Sequence, residues 1–437
     1  MRQSGKMDIT DKSFGGRRNV YEKKYFKPIA AGIIFATLTL LSGISAQMPA
    51  QAVPLVRPTA PRSITTNFGA DSENGRNFTW VTSESVRTGF VEYCRRIDFI
   101  GFGKPNIVRT EAKNQTVKTD RDSRTIHKAA VNHLLPGTEY VYRVGSSEGY
   151  SAQGVFETPG RDTDGFTFLN ITDTQGGSAR DYNVWKNTLD RALFRFPDAK
   201  FLVHTGDMVD MGYLAAQWDM FIGAAQSELL NLPILPVVGN HDTLNRNKTN
   251  YNSINFIGRF NLPDSGIAGV PAGTVYSLDY GDLHIAVMNT QCGSSTYRKQ
   301  AEWLKKDMTS SSKPWKVVAL HRGPYGATYD TTDIRKAWTP AFDELGVDLV
   351  LQGHDHNYVR SYPMKNGKAV PNGKGTIYMV GNTGGVKYYP LAKRPWQAVD
   401  LQPKTPMYIA VTVNRTKMTI NAYDSKEVLR DTITLTK

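Results

Sequence analysis

The sequence predicts two domains of different class: an all-β sandwich over about 53–160, then an α/β (α+β) layered sandwich of two mixed β-sheets flanked by helices over 161–437. Three observations carry that division. The first stretch runs in short alternating segments with no helical period. After "TPGRDTDG" the rhythm changes, and apolar strands alternate with amphipathic stretches. Finally, the strands of the second part repeatedly end in Asp, Asn or His, so their carboxyl ends share one chemical character.

Ahead of the sandwich, Arg17, Arg18, Lys23, Lys24 and Lys27 precede the apolar run "IAAGIIFATLTLLSGISA", Ile29 to Ala46, and small residues follow in "AQMPAQA". A basic flank, an apolar run and small residues read as an export signal within 1–52, cut near Ala46 or Ala52. The run also stands at the lower edge of a spanning length, so a retained anchor or a buried helix are the alternatives. The protein is expected to be secreted or extracytoplasmic, at the cell surface. Cys94 and Cys292 fall in different domains and are expected to be unpaired, buried thiols rather than a disulfide framework. The net charge of +13 suits an anionic substrate or surface. No dense basic run interleaved with aromatics argues for a nucleic-acid partner, so nucleic acid enters only as a substrate class. No obligate protein partner is expected.

Within the sandwich, "RNFTWVT", "TGFVEYC" and "EYVYRVG" read as strands. "LLPGTEYVYRVG" sets Pro–Gly before a Tyr-x-Tyr strand, an arrangement that resembles the tyrosine corner of immunoglobulin- or fibronectin-like sandwiches. His127 and His133 read as surface or packing residues. In the second domain "FTFLNITD" is followed by Tyr182, Trp185, Leu189, Leu193 and Phe196, one helix face stopped at Pro197. "KFLVHTGD" precedes a second helical stretch through Leu214, Trp218, Phe221, Ala225 and Leu229. "LPILPVVGN", "LHIAVMNT", "WKVVALH" and "VDLVLQGH" supply further strands, with helices near Trp303–Leu304 and Ile334–Trp338–Phe342. The tail from Met407 reads as antiparallel strands closing a sheet edge.

The polar residues that end these strands are Asp173, Asp207 in "HTGDMVD", Asn240 and His241 in "VVGNHD", His321 in "VALHRGP", and His354 and His356 in "LQGHDH". Several are about one strand-plus-helix unit apart, which brings neighbouring strand ends to one rim. Carboxylates, a carboxamide and imidazoles on one rim make a site for hard-to-borderline divalent metals. Glycines precede them in "TGD", "VGN" and "QGH", where a missing Cβ permits a sharp turn and a close approach. The two histidines of "GHDH" cannot share a helix face, but on a turn they can address two neighbouring ions. Taken singly, each piece has a bland reading: a helix-capping Asp, a satisfied core His, an ordinary turn. The ordered set does not, since every position would need a separate excuse. His204 and His284 read as packing or supporting residues.

This set resembles the calcineurin-like metallophosphoesterases, whose ordered pattern is D-x-H, GD-x-x-D, GNH-D/E, a single H and GH-x-H. "GHDHNYVRSYP", the "PGTEY" corner and "GTIYMVGNTGGVKYY" look more narrowly like the purple acid phosphatase branch. The resemblance implies that Asp207 bridges two metal ions, Fe, Mn or Zn, with Mg or Ca as further candidates. Asp173 and His356 would complete the first site, and Asn240, His321 and His354 the second. Attack of a metal-bound hydroxide on a phosphate ester would follow, with His241 as the catalytic non-ligand histidine and Asn240 and His241 contacting substrate.

The chain departs from the pattern at three places. Gln175 stands where the family has a histidine: it either merely holds the Gly176–Gly177 turn or binds through oxygen, favouring harder ions. Asp210 occupies the position of the tyrosine ligand of purple enzymes, so no visible charge-transfer colour is expected. Arg322, Tyr325, Tyr329 and Asp330 replace the branch's extra histidines, and Arg322 is a candidate phosphate-binding residue. The expected function is an exported phosphatase acting on phosphate monoesters. The alternatives are a phosphodiesterase on nucleotides or envelope phosphodiesters and a non-catalytic surface module with a degenerate metal site.

Overall fold

A computed structural model describes residues 59–160, 165–247 and 254–437. The apolar run Ile29 to Ala46, with its basic flank, lies outside the described residues. Among those described, no helix is long and apolar enough to cross a membrane.

The N-terminal sandwich has two antiparallel sheets. One follows the order Arg62–Asn67, Arg76–Ser83, Ser123–Val131, Lys113–Lys118; the other is built around Phe90–Arg95 and Glu139–Ser146. Phe78, Trp80, Val91, Tyr142 and Val144 fill its core. At the corner the Leu135 N–H donates to the Tyr140 hydroxyl at 2.9 Å, the local contact expected of a tyrosine corner. His127 is a packing residue. Its ring stacks on Trp80 with centroids 5.1 Å apart, and burial pushes its imidazole down to about 4. His133 lies exposed on a loop. Both cysteines are free, but only Cys94 is buried; Cys292 is half-buried.

The layered domain places two sheets face to face. The six-stranded sheet runs Ile234–Pro236, Leu202–His204, Phe166–Ile171, Met407–Val413, Lys417–Asp424, Leu429–Thr436. Its first three strands are parallel, and the tail continues it antiparallel from Phe166–Ile171 to the edge. The seven-stranded sheet contains the parallel run Leu283–Val287, Trp315–Arg322, Leu349–Gly353, Ile377–Gly381. Phe168, Val203 and Leu235 from one sheet meet Ile285, Val317 and Leu349 from the other, a fully buried apolar layer that fixes the sheets against each other.

Helices cover the outer faces, as the periodicity predicts. Ala179–Arg195 buries Tyr182, Trp185 and Leu189; it starts at a capping box in which Ser178 and Asp181 satisfy each other's main-chain N–H groups, and it ends before Pro197. Tyr297–Ser310 and Thr332–Leu345 cover the second sheet. The stretch expected through Leu229 is two helices, Ala215–Ala224 and Gln226–Leu229. The break at Ala225 lets the Gln226 carboxamide pair with both main-chain groups of Ile64, at 2.8 and 2.9 Å.

At the edge of the second sheet a buried histidine sits between two half-buried carboxylates. His284 has Nδ1 2.6 Å from Asp279 and Nε2 2.9 Å from Asp307. Burial alone would lower this imidazole, but the two carboxylates override it and raise it to about 9. A folded value above the ordinary 6.5 means the proton stabilises the fold fully below that pH, and the contribution, about 3 kcal/mol, is lost as pH rises through about 9. Urea midpoints measured from pH 6 to 10 are therefore expected to fall across this window in the native chain, and His284→Gln to lower the midpoint at pH 6 and flatten the decline. An equal decline in both proteins would refute the assignment.

Candidate metal centre

The parallel strands of the six-stranded sheet lead into Asp173, Asp207 and Asn240. Those of the other sheet carry His321 near the end of Trp315–Arg322 and lead from Leu349–Gly353 into His354 and His356. Acids and a carboxamide thus arrive from one sheet and imidazoles from the other. Four of these residues have left-handed backbones despite carrying side chains: Asp173 (φ 53°), Asp207 (φ 54°), His354 (φ 78°) and His356 (φ 49°). Each such conformation costs on the order of 1–3 kcal/mol and persists only where surrounding contacts dictate it.

Glycine makes the approach possible. Gly206 has φ 97°, and a Cβ there would lie 2.5 Å from His321 Nδ1. A Cβ on Gly239 would lie 2.2 Å from the Asp207 main-chain nitrogen, so the two turns touch backbone to backbone. Asp242, fully buried, ties them together: its carboxylate accepts from the N–H groups of Asp207, Met208, Val209 and Gly239 at 2.8–3.2 Å.

Two groups of donors result, Asp207 with His321 and His354, and Asp173 with Asp207 and His356; in each, one atom per residue lies within 4.8 Å of the others. The hydrogen bonds set the tautomers. His321 Nδ1 lies 2.8 Å from the Thr205 carbonyl, which only an N–H can satisfy, so Nε2 is the atom turned to Asn240 Oδ1 at 3.1 Å and Asp207 Oδ2 at 3.3 Å. His356 repeats the arrangement: Nδ1 donates to the Lys387 carbonyl at 3.0 Å and Nε2 lies 3.2 Å from Asp173 Oδ1. Carboxylate oxygens and imidazole Nε2 atoms converging in a buried space need a cation between them, a proton or a metal ion, and a main-chain acceptor behind each imidazole is how metal-ligating histidines are oriented.

The electrostatics agree. Burial alone would raise the Asp207 and Asp173 carboxyls, but His321 and His356 respectively hold them below the usual range. Burial would lower His321, and Asp207 raises it instead, to about 9. His354, next to the His321 charge, is pushed down by burial to about 3. The donors present fit a pair of divalent ions.

Gln175 is fully buried in the cluster. With its amide nitrogen donating to the main-chain carbonyls of Asp173 and Asp207, both at 3.1 Å, its oxygen lies 3.2 Å from His356 Nε2 and faces the first group. The opposite orientation sets the nitrogen 3.3 Å from Asp207 Oδ2 and 3.2 Å from His356 Nε2. The first matches each amide hydrogen to a neutral main-chain acceptor and leaves an oxygen for a cation.

His241 stands beside these groups. Its main-chain N–H donates to Asp207 Oδ1 at 2.8 Å, and its Nδ1 lies 2.8 Å from the Asp210 carbonyl, so Nε2 carries the free lone pair. Asp210 forms an ion pair with Lys387. Arg322 is half-buried, close enough for its charge to act on His354, and has no ion-pair partner among the described residues. His204 is buried between Trp185 and Phe221, its Nε2 3.0 Å from the Thr174 hydroxyl, a supporting role.

Sequence reasoning did not single out Asp242, Lys387 or Tyr389. Asp242 is the last letter of "GNHD", and Lys387 and Tyr389 lie in "GGVKYY"; both strings were visible, but only contacts made across the fold give them roles.

A sequence model described as calcineurin-like phosphoesterase matches residues 166–358, and one described as the purple acid phosphatase N-terminal domain matches residues 61–158. The chain is 26% identical over 318 residues to acid phosphatase type 7 of Homo sapiens, covering 63% of this chain and 69% of that protein. It is 25% identical over 312 residues to probable inactive purple acid phosphatase 27 of Arabidopsis thaliana, covering 60% of this chain but 49% of the relative. Among solved structures it resembles purple acid phosphatase PPD1 from yellow lupin seeds, with TM-score 0.76 and 19% identity over 87% of this chain and 75% of that one. This last likeness is one of fold.

The sharing of Asp207 has a measurable consequence. After metal loading and exhaustive dialysis, the native chain is expected to retain two ions, Asp207→Asn none and His356→Ala one, by elemental analysis. Equal losses in the two variants would refute the shared carboxylate.

Proposed function

We propose that this chain, which belongs to the calcineurin-like phosphoesterases of purple acid phosphatase type, hydrolyses phosphate monoesters in an acid phosphatase-like reaction. Members of that family are metal-dependent phosphoric ester hydrolases with a binuclear metal centre. One observation carries the reading here: two donor groups that share the Asp207 carboxylate, with an uncommitted His241 Nε2 beside them.

Asp173, Gln175, Asp207 and His356 would hold the first ion, and Asp207, Asn240, His321 and His354 the second. A bound pair of ions polarises phosphoryl oxygens and lowers the pKa of water. The protein's own residues do the rest. His241, its Nδ1–H committed to the Asp210 carbonyl, has Nε2 free to take up a proton; the resulting imidazolium can donate from Nε2 to a phosphate oxygen or deliver that proton to the departing alcohol. Arg322 adds a positive charge for the phosphate. Three oxygen donors against one nitrogen at the first position favour Fe or Mn over Zn there, with Mg or Ca as harder candidates. The apolar run Ile29 to Ala46 supports export to the cell surface or beyond.

Turnover of p-nitrophenyl phosphate is expected only after Fe, Mn or Zn is added to stripped protein, and to exceed that of bis-p-nitrophenyl phosphate. His241→Ala is expected to lower kcat by about 10²–10⁴ while two ions remain bound. Faster hydrolysis of the diester would establish the phosphodiesterase alternative. No hydrolysis of either ester with any metal would overturn the enzyme reading in favour of a surface module.

A further inference from the structure

We propose that Tyr329 and Tyr389 form an aromatic wall that selects phosphate esters carrying an aromatic ring one or two bonds from the ester oxygen. The inference deepens the phosphoesterase reading and rests on it. The Tyr329 ring lies against His354, centroids 4.4 Å apart and planes tilted 33°. The Tyr389 ring stacks on His356 at 4.2 Å and 25°. The tyrosines meet edge to face at 6.3 Å and 82°, so one continuous aromatic surface lies against both histidines of "GHDH".

This surface is built rather than incidental. Asp355, the residue between those histidines, is buried beneath the loop that carries Tyr329; its carboxylate accepts from the main-chain N–H of Ala327 and from that of Thr328 at 3.0 Å. A Cβ on Gly326 would lie 2.3 Å from the same carboxylate. Trp396 Nε1 donates to the Gly326 carbonyl at 2.8 Å and Arg394 Nε to that of Ala327 at 3.0 Å. The Thr328 hydroxyl donates to the Pro390 carbonyl at 2.9 Å, tying the two tyrosine segments together. Gln402 Nε2 reaches the carbonyls of both His356 and Tyr389, at 2.6 and 2.9 Å.

A shield for the two imidazoles would need buried rings. Tyr329 instead remains 42% exposed, which leaves aromatic surface for something else to cover. Because the tyrosines touch the histidines themselves, an ester whose phosphate sits at the metal pair brings to the wall only groups joined closely to the ester oxygen. A phenyl or benzyl group reaches it; a nucleobase held off by a ribose does not. A preformed, rigid surface loses little on binding, and aromatic pairing predicts a preference of about five- to tenfold.

Benzyl and cyclohexylmethyl phosphate test this, since both release primary alcohols from a six-membered ring; the better benzyl leaving group is controlled by the leucine variants and by the phosphonates, which release nothing. For the metal-loaded native protein kcat/KM is expected to favour the benzyl ester about five- to tenfold. Tyr329→Leu and Tyr389→Leu are each expected to bring that ratio toward one, mainly through KM, and Tyr329→Phe to restore it. Calorimetric binding of benzylphosphonate against cyclohexylmethylphosphonate is expected to give the same preference without turnover. A native ratio near one, or a ratio unchanged in both leucine variants, would overturn the wall while leaving the phosphatase reading intact. A preference for AMP over ribose 5-phosphate that is lost in Tyr329→Leu would overturn the aryl assignment in favour of a nucleobase. If no ester is hydrolysed, the phosphoesterase reading fails instead, and the phosphonate pair still decides whether the wall discriminates.

Discussion

The structure depends on one carboxylate. Asp207 is 1% exposed and is the member common to both donor groups. A carboxylate that deep is tolerated only when positive charge and N–H groups face it; removing such a partner from a buried charge costs about 3–5 kcal/mol. Here the imidazole of His321 and the main-chain N–H of His241 supply that company from two directions. His321 arrives from the opposite sheet, so the ion cluster also records how the two sheets are aligned. The apolar layer between them sets the distance at which acids and imidazoles meet, and the strained backbones at Asp173, Asp207, His354 and His356 turn their side chains off the strand ends.

The sandwich contributes more than an appended module would. The helix Ala215–Ala224 follows the Asp207–Asp210 turn, and its N-cap Leu214 has no side-chain acceptor to offer. Asp120 of the sandwich accepts from the Ala215 N–H at 2.8 Å in its place, where a negative charge also suits the helix dipole. From the same helix Asp219 receives Arg124 of the sandwich at 2.9 Å and Arg259 at 3.1 Å, both arginines almost fully buried. Gln217 of that helix accepts from the N–H groups of Asp210 and Met211 at 3.0 and 2.8 Å, and the Asp210 carbonyl holds His241. A chain of contacts therefore runs from a sandwich loop to the histidine beside the donor groups.

Much of this was legible in the sequence because strand ends are local features. A strand's apolar run and the polar residue after it are read together, and each of Asp173, Asp207, Asn240, His321, His354 and His356 was found that way. The helix Ala179–Arg195 is equally plain in its buried face and its stop before Pro197, whereas its Ser178–Asp181 capping box emerges only in the structure. What stayed hidden was set by partners distant in sequence. Nothing near Gln226 announces that its carboxamide binds Ile64 and ends a helix there. The tautomer of His356 depends on the Lys387 carbonyl, and the loop of Tyr329 depends on Asp355. From sequence alone His284 has no more than a packing or supporting role, and its two carboxylates become visible only when the second sheet's edge meets the Tyr297–Ser310 helix.

Anomalous scattering from crystals grown with Mn, with data collected above and below its absorption edge, locates the ions relative to the Asp207 carboxylate. Two peaks are expected, one among Asp173, Gln175, Asp207 and His356, the other among Asp207, Asn240, His321 and His354, with the Asp207 carboxylate between them. A single peak, or peaks that leave Asp207 outside both coordination shells, would contradict the shared carboxylate.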